Sequence, residues 1–600
     1  MSATTGTARP LRPSRVASSD AVFPWLIVAG AVLAAAATTA VWVVGQVAEW
    51  ADTGRWPATG WSLTLLPTVA GSGPWPWPNT DPGTVQMASA AILGVVLAVV
   101  GMAAYQAYAR TPASDSFYRA LGRPAAVTHL GLSAQQTTAA RLRRSTLATV
   151  KPTAITAEDV GLALGHVDTG SGPGPMCYAG WEDVALAVMA PRSGKTTSVA
   201  IPAICSAPGA VVATSNKLDI LYTAGLRSDM TGLRPWVFDP QGVARTPQTW
   251  WWDPLAGITT VEEAERLAGH FISAVEDEKN SIWPMSATEL LSGLFLAANL
   301  TGATITQVYK WLANEHDPAP AAALEAGGFD VLAGAMRGNA NMAHETRASV
   351  YFTARSGARC LRNPAITAWV TPPRRPLPRL DPDRFVNGPG TLYLLSKDSG
   401  GSAAPLVAAL TDRVLRAGVH LAEARGGRLD PPLVAVLDEA ASVAPIRDLP
   451  KLYSHYGSRG ILPVTILQSL PQGEAVWGKT GMAELWSAAT IKLIGAGIDD
   501  EDTASRISRL VGDHTVAVVS VSTGRGGSRS TSLTHRPVLS AAQLRALPKG
   551  TALLLATGTP ATLLRLHPHY RGRHAPAIDA EVTALTARIA AAAGNPQETP

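Results

Sequence analysis

The chain has 600 residues, enough for three or four domains, and its net charge of +5 is compatible with nucleic acid or anionic lipid as a partner but identifies neither. Apolar residues make up 46% and charged residues 16%, a balance that excludes a disordered chain and favours membrane segments together with a large buried core. The three cysteines form no CxxC pair, so neither a disulfide framework nor a zinc site is indicated and a reducing cytosol suits most of the chain.

Two uncharged stretches near the N-terminus, residues 21–47 and 85–108, are each long enough to cross a bilayer. The loop between them is rich in Pro, Gly and Trp, a composition typical of the membrane–water interface. A cleaved signal peptide is one alternative for the first stretch, but its apolar core is longer than a signal peptide requires. A buried hairpin in a globular core is the other alternative, and two spans of this length disfavour it. We therefore predict a membrane anchor over residues 1–112.

The charges that flank these spans predict their orientation. The loop carries Arg55 against the acids Glu49, Asp52 and Asp81. The outer flanks carry Arg9, Arg12, Arg15, Arg110, Arg119 and Arg123. Because cytoplasmic flanks collect positive charge, we expect a multi-pass protein of the cell membrane with both termini in the cytoplasm.

A basic connector follows over residues 113–158 and reads as mostly helical. Its cations suit anionic lipid or nucleic acid, although such a run is more often the solvated face of a helix.

A phosphate-binding loop is predicted after the apolar run 184–189, which has the composition of a buried strand. The small-residue turn 190–194 leads into Lys195, Thr196 and Thr197, which open a helix. This is the Walker A arrangement, in which backbone N–H groups face the phosphates, Lys195 reaches the β- and γ-phosphates, and the Thr196 hydroxyl holds Mg²⁺. The predicted nucleotide-binding residues are Pro191, Arg192, Ser193, Gly194, Lys195, Thr196 and Thr197. An ordinary strand–turn–helix corner is the alternative.

One position departs from the Walker A pattern, because Met189 stands where the first glycine is usual. This substitution removes no phosphate ligand, since the loop contacts phosphate through later residues.

From residue 159 the pattern is α/β, with short apolar strands at 209–215, 236–238 and 391–395. We expect a largely parallel sheet that binds its ligand at the carboxyl ends of its strands. Residues 258–375 show helical periodicity and no convincing strand, so we predict an all-α domain inserted into the α/β domain.

A second group of polar residues follows two later strands. The run 433–437 leads directly into Asp438 and Glu439, a Walker B element. We expect Asp438 to organise Mg²⁺ and Glu439 to deprotonate the attacking water. Gln468 follows the strand 462–467 and is placed to sense the γ-phosphate. Arg459 precedes that strand, where an arginine finger acting on a neighbouring subunit and an ordinary exposed turn residue are about equally favoured.

Strands at 491–494 and 552–556 are predicted to complete the sheet. Between them, the Gly/Ser-rich loop 520–532 carries Arg525 and Arg529 and reads as the tip of a long hairpin, which either touches a nucleic-acid backbone or lies free in solvent. Residues 576–600 read as a helix with a frayed tail.

Together these segments resemble type IV secretion coupling proteins, the conjugative DNA transfer family. The resemblance covers residues 183–566 and the N-terminal spans. The motifs that carry it are APRSGKTTS, VATSNKLD, VFDPQG, IWPMSATELL, VLDEA, ILQS, RPVLSAAQLRALPKG and TALLLATGTP.

This resemblance implies a RecA-like P-loop ATPase domain, here residues 159–257 and 376–575, in a membrane-anchored homo-hexamer. It implies ATP and Mg²⁺ as cofactors, with Glu439, Lys195, Gln468 and Arg459 in catalysis and Thr196 and Asp438 at the metal. It also implies three kinds of partner: DNA in single-stranded form, a relaxase or other secreted substrate, and components of the type IV secretion channel.

Two other functions stay open at the level of sequence. One is a recruitment receptor for protein secretion that uses ATP only for assembly, against which the intact Glu439 and Gln468 argue. The other is an FtsK-like pump for double-stranded DNA, against which the long helical insertion and the two-span anchor argue.

Overall fold

The computed structural model describes residues 19–69, 72–110, 121–273, 282–397, 402–521 and 529–594. The chain divides into two compact units. The smaller unit comprises Met1–Ser116 with Thr515–His535, and the larger comprises Phe117–His514 with Arg536–Pro600.

Two long helices, Ser19–Thr53 and Pro82–Arg110, pack against each other in the smaller unit. A short helix, Leu66–Val69, lies in the loop between them. Trp77 is fully buried against Gly45, where a Cβ atom would lie 2.7 Å from the indole ring. The glycine thus allows the loop to close over the first helix.

One helical stretch of the described residues, Pro82–Val99, is long and apolar enough to cross a membrane, and it coincides with most of the second predicted span. The first predicted span, 21–47, falls within the helix Ser19–Thr53, of which the side chains of residues 19–33 are not described. Arg9, Arg12, Arg15 and Arg119 lie outside the described residues.

The larger unit is built on a sheet whose eleven described strands run in the order β2-β1-β13-β12-β9-β3-β8-β7-β4-β6-β5. A separate two-stranded hairpin pairs β10 with β11. The strands are β1 Leu162–Asp168, β2 Pro173–Ala179, β3 Ala185–Val188, β4 Val211–Ser215, β5 Trp236–Phe238, β6 Thr391–Leu395, β7 Leu433–Leu437, β8 Ile461–Leu467, β9 Ile491–Gly495, β10 Asp513–Val521, β11 Arg529–Pro537, β12 Thr551–Ala556 and β13 Thr562–Arg565.

The strands from β9 to β5 in this order are parallel, and β12, β13, β1 and β2 add to the other side in antiparallel pairs. The predicted parallel sheet is therefore one side of a mixed sheet. The predicted strands from β3 to β9, and β12, are confirmed to within two residues at either end.

The sequence did not predict β1, β2 or β13. β2 reads PGPMCYA, and its two prolines and glycine are ordinary signals for a turn. It is an edge strand, so these prolines cost few ladder hydrogen bonds.

The described residues between β5 and β6 form helices and no sheet strand. These helices are Val261–Ile272, Ile282–Leu300, Ile305–Ala313, Ala319–Ala326, Asp330–Ala340, His344–Gly357, Pro364–Thr367 and Pro382–Phe385. The other helices of the larger unit are Leu132–Leu142, Ile201–Ser206, Ala224–Thr231, Ala404–Ala424, Ala440–Val443, Leu449–Tyr456, Leu470–Ala488, Glu501–Val511, Ala541–Arg545 and Ala575–Gly594.

The C-terminal helix Ala575–Gly594 packs onto the body of the larger unit. Its Ile578 forms an apolar cluster with Ile201 and Cys205, and Leu226 completes that cluster. Ile201 and Cys205 belong to the helix that follows the phosphate-binding loop, so this helix is covered by the end of the chain.

The part of the basic connector from residue 121 onward also packs onto the larger unit. Arg143 is buried and forms an ion pair with Asp159 at 3.1 Å. Asp430 accepts hydrogen bonds from the backbone and hydroxyl groups of Ser145 and Thr146. These contacts tie the connector to the sheet domain rather than leaving all its cations on a solvated face.

The predicted Gly/Ser-rich loop, residues 520–532, overlaps the hairpin of β10 and β11. β10 and β11 flank residues 522–528, so Arg525 lies outside the described residues and Arg529 opens β11.

Candidate nucleotide-binding site

Three neighbouring parallel strands deliver the predicted functional residues to one edge of the sheet. β8 lies between β3 and β7, and Val188 pairs with Leu467 while Leu437 pairs with Thr465. Because parallel strands end on the same side, the residues after β3, β7 and β8 meet there. The structure thus brings together groups separated by more than 240 positions.

The loop after β3 has the backbone of a phosphate-binding turn. Arg192 and Gly194 adopt positive φ angles of 61° and 96°. Ser193 is buried and donates a hydrogen bond to the carbonyl oxygen of Ala190 at 2.6 Å, which closes the turn. A helical turn begins at Thr196. Pro191 and Arg192 are exposed at the mouth of the loop.

Space for Met189 comes from a neighbouring strand. Met189 is fully buried, and a Cβ atom at Gly495 of β9 would lie 2.7 Å from its side chain. A Cβ atom at Gly497 would lie 2.7 Å from that of Ala190. The departure from the Walker A pattern is therefore accommodated by glycines far along the chain.

Lys195 and Glu439 form a buried ion pair at the centre of the site, with side chains 7% and 2% exposed. Burial lowers the pKa of Lys195. Gln468 donates from Nε2 to the second oxygen of Glu439 at 2.7 Å. Glu439 has a φ of 55°, an uncommon left-handed conformation that turns the chain directly after β7. The carboxylate is thus held by the lysine and the amide together.

Asp438 lies beside this pair and retains one free oxygen. Its Oδ2 accepts from Thr196 Oγ1 at 3.1 Å and from Ser215 Oγ at 3.4 Å. Its Oδ1 is buried and has no hydrogen-bond partner among the described residues. Burial raises the pKa of Asp438. A buried carboxylate oxygen without a donor, next to a threonine hydroxyl, fits the oxygen-ligand chemistry of Mg²⁺.

Sequence reasoning assigned no role to three further residues of the site. Ser215, at the tip of β4, contacts Asp438. Gln472 accepts from the backbone N–H of Gln468 at 3.1 Å and donates to Ser442 at 3.0 Å, which fixes the loop that carries Gln468. Ser215 falls within the motif VATSNKLD, whereas no signal in the sequence marks Gln472 or Ser442.

Arg459 lies away from this pocket. It precedes β8, whereas Gln468 follows β8, so seven strand residues separate them, about 23 Å at about 3.3 Å per residue. Its guanidinium group contacts Glu423 at 3.5 Å and the carbonyl oxygen of His455 at 3.3 Å. Arg459 therefore does not reach the pocket of its own subunit.

The class of the fold follows from three features: the strand–loop–helix unit at β3, the paired acids after β7 and the amide after β8. The larger unit has a RecA-like P-loop nucleotide-binding fold. Residues 432–549 match the family TraG-D_C, the TraM recognition site of TraD and TraG.

The conjugal transfer protein TraG of Agrobacterium fabrum (strain C58 / ATCC 33970) is 24% identical over 404 residues, which are 64% of this chain. The chain spans 60% of the length of this curated relative.

Two solved structures of the coupling protein TrwB are also similar. The unbound monoclinic form of the bacterial conjugative coupling protein TrwBΔN70 superposes with a TM-score of 0.50 at 18% identity, covering 67% of this chain and 88% of that one. TrwB in complex with ADP and Mg²⁺ gives 0.49 at 19% identity, covering 66% and 88%. The resemblance to type IV coupling proteins is confirmed.

Proposed function

We propose that this chain is a membrane-anchored ATPase that couples ATP hydrolysis to the recruitment and translocation of DNA through a conjugative type IV secretion channel. The observation that carries the proposal is the convergence of Lys195, Thr196, Asp438, Glu439 and Gln468 at one edge of the sheet. The similarity to a conjugal transfer protein supports a role in conjugation. The cargo in this proposal is single-stranded DNA joined to a relaxase.

The residues of the pocket fit ATP and Mg²⁺. The loop from Pro191 to Thr197 would hold the phosphates, and Thr196 with the free oxygen of Asp438 would hold the metal. Bound Mg²⁺ would neutralise charge on the phosphate oxygens.

In hydrolysis, Lys195 exchanges Glu439 for phosphate oxygens. Glu439 then takes a proton from the attacking water. Gln468, whose loop is held by Gln472, orients this water and senses the terminal phosphate. Binding of the nucleotide would therefore break the ion pair between Lys195 and Glu439.

Assembly and topology belong to the same proposal. In this proposal two spans anchor a homo-hexamer with both termini and the ATPase domain in the cytoplasm. The apolar helix Pro82–Val99 supports the second of these spans. Arg459 lies at the opposite sheet edge from its own pocket, so as an arginine finger it would act on the nucleotide of a neighbouring subunit.

Two substitutions test the site. Lys195→Ala should abolish ATP turnover by removing the phosphate-binding cation, and Glu439→Gln should abolish turnover while retaining ATP binding, because it removes only the base. Steady-state ATPase and equilibrium binding are measured on the full chain in detergent. Turnover by Lys195→Ala equal to that of the parent would refute the assignment.

The function is tested by DNA transfer in mating assays with Glu439→Gln. Loss of transfer is expected, because translocation requires hydrolysis. Undiminished transfer would instead favour the recruitment receptor. Stimulation of the ATPase by double-stranded rather than single-stranded DNA would favour an FtsK-like pump.

A further inference from the structure

The tip of β4 brings a second lysine to the edge of the nucleotide site. β4 lies beside β7, and Thr214 pairs with Leu437, so Ser215 stands level with Asp438. Ser215 donates to Asp438 Oδ2, and its hydroxyl oxygen accepts the backbone N–H of Lys217 at 3.2 Å. Lys217 is therefore joined through one serine to the predicted metal-binding carboxylate.

The ammonium group of Lys217 forms no ion pair among the described residues. Lys217 is exposed, and no carboxylate of the described residues lies within 4.0 Å of it. Its charge nevertheless reaches the pocket. Burial is the main influence on both groups, lowering the pKa of Lys195 and raising that of Asp438, and the positive charge of Lys217 acts to lower both.

A second observation marks the same place as open to a ligand. The amide oxygen Oδ1 of Asn216 is buried without a hydrogen-bond partner among the described residues, as is Oδ1 of Asp438. Buried acceptors without a donor call for a hydrated cation or a water-bound ligand, because an unpaired buried polar group is destabilising.

The charge balance of the pocket also leaves room for one cation. Lys195 faces two carboxylates, Asp438 and Glu439, so these three side chains sum to one negative charge. Lys217, which follows the tip of β4 next to Asp438, adds one positive charge to that sum. A further positive charge at this position favours a polyanionic ligand.

We propose that Lys217 contacts the terminal phosphate of the bound nucleoside triphosphate, as a further catalytic residue beside Lys195. The inference rests on the proposed nucleotide site. The loop after β3 would hold the inner phosphates through its backbone, whereas the tips of β7 and β4 would lie toward the terminal phosphate. A cation on that side distinguishes a triphosphate from a diphosphate.

The test compares Lys217→Gln, Lys217→Arg and a control, Lys310→Gln, on the full chain in detergent. Lys310 is an exposed lysine of the inserted helices. Binding of ADP and of a non-hydrolysable ATP analogue is measured with Mg²⁺. Lys217→Gln should weaken binding of the analogue about tenfold, equivalent to about 1.4 kcal/mol, and leave that of ADP unchanged. Lys217→Arg should restore most of the loss, and Lys310→Gln should match the parent.

An equal loss for ADP and the analogue, or no loss for either, would overturn the inference while the parent still hydrolyses ATP. Failure of the parent to bind either nucleotide would overturn the proposed function itself. The two failures are thus distinguishable within one set of titrations.

Discussion

At the scale of single residues, the phosphate-binding loop depends on glycines that belong to other segments. Gly497 has a φ of 84°, and a Cβ atom there would press on Ala190, the first residue of the loop. Gly558 has a similar φ of 76°, with nothing within 4 Å of its Cβ position. The two glycines therefore make a matched pair for substitution: their φ angles are similar, but only at Gly497 would an added Cβ atom meet a neighbouring residue.

We expect Gly497→Ala to lower the affinity for ATP and Gly558→Ala to leave it unchanged. Both variants force alanine into the left-handed region, at about 1–2 kcal/mol each, but only the first displaces the loop. Equilibrium nucleotide binding and thermal unfolding are measured on both. Equal ATP affinity in the two variants would show that Gly497 does not shape the pocket.

The residue-level predictions rest on signals that are local in the sequence. An apolar run, a small-residue turn, a lysine and a threonine in this order predict a strand, a loop and a helix start. An apolar run followed by two acids likewise predicts a strand with carboxylates at its end. The contacts of Ser215 with Asp438 and of Met189 with Gly495 depend on which strands are neighbours. No spacing along the chain contains that information.

At the scale of elements, a buried contact between a histidine and a carboxylate joins the inserted helices to the sheet domain. His270 in the helix Val261–Ile272 contacts Asp412 in the helix Ala404–Ala424 at 3.2 Å, and Arg416 also reaches Asp412. Burial acts to raise the pKa of Asp412, but the hydrogen bond and charge of His270 and the charge of Arg416 hold it at about 2.

Asp412→Asn should therefore destabilise the protein at pH 7, by about 3 kcal/mol for a broken buried pair. Because the pKa is lower in the folded state than the ordinary value of 3.8, the stabilisation exists above pH 3.8 and is lost as the pH falls toward 2. Thermal unfolding from pH 7 to pH 3 should show the gap between parent and variant narrowing below pH 4.

Asp229→Asn serves as the control, since Asp229 is exposed. A gap between the parent and Asp412→Asn that stays constant across this range would contradict the linkage.

Elements were predictable in proportion to their burial. The central strands read as unbroken apolar runs, because helices cover both faces of the parallel part of the sheet. On the antiparallel side, β1 contains a glycine, and the edge strand β2 contains a glycine and two prolines, which are signals that otherwise mark turns. β13 is the four-residue run TLLR, which is shorter than most strands.

At the scale of the whole molecule, the proposed topology predicts which exposed positions are reachable from outside the cell. Thr64 is exposed in the loop between the long helices, and Ser458 is exposed on the larger unit. Native cysteines give little background, since Cys177, Cys205 and Cys360 are all buried.

A membrane-impermeant maleimide should label Thr64→Cys in intact cells and Ser458→Cys only after permeabilisation, because the two-span arrangement puts the loop outside. Labelling is measured by the mass shift of the protein. Labelling of both variants in intact cells, or of neither, would refute the arrangement.

The packing of Ile578 against Ile201 and Cys205 has a practical consequence for protein engineering. Trimming the chain ahead of residue 575 would leave the back of the helix behind Lys195 uncovered, so a shortened variant would mimic an active-site defect with every catalytic side chain intact. Reporter fusions and affinity tags should be attached beyond Gly594, where they leave this apolar contact intact.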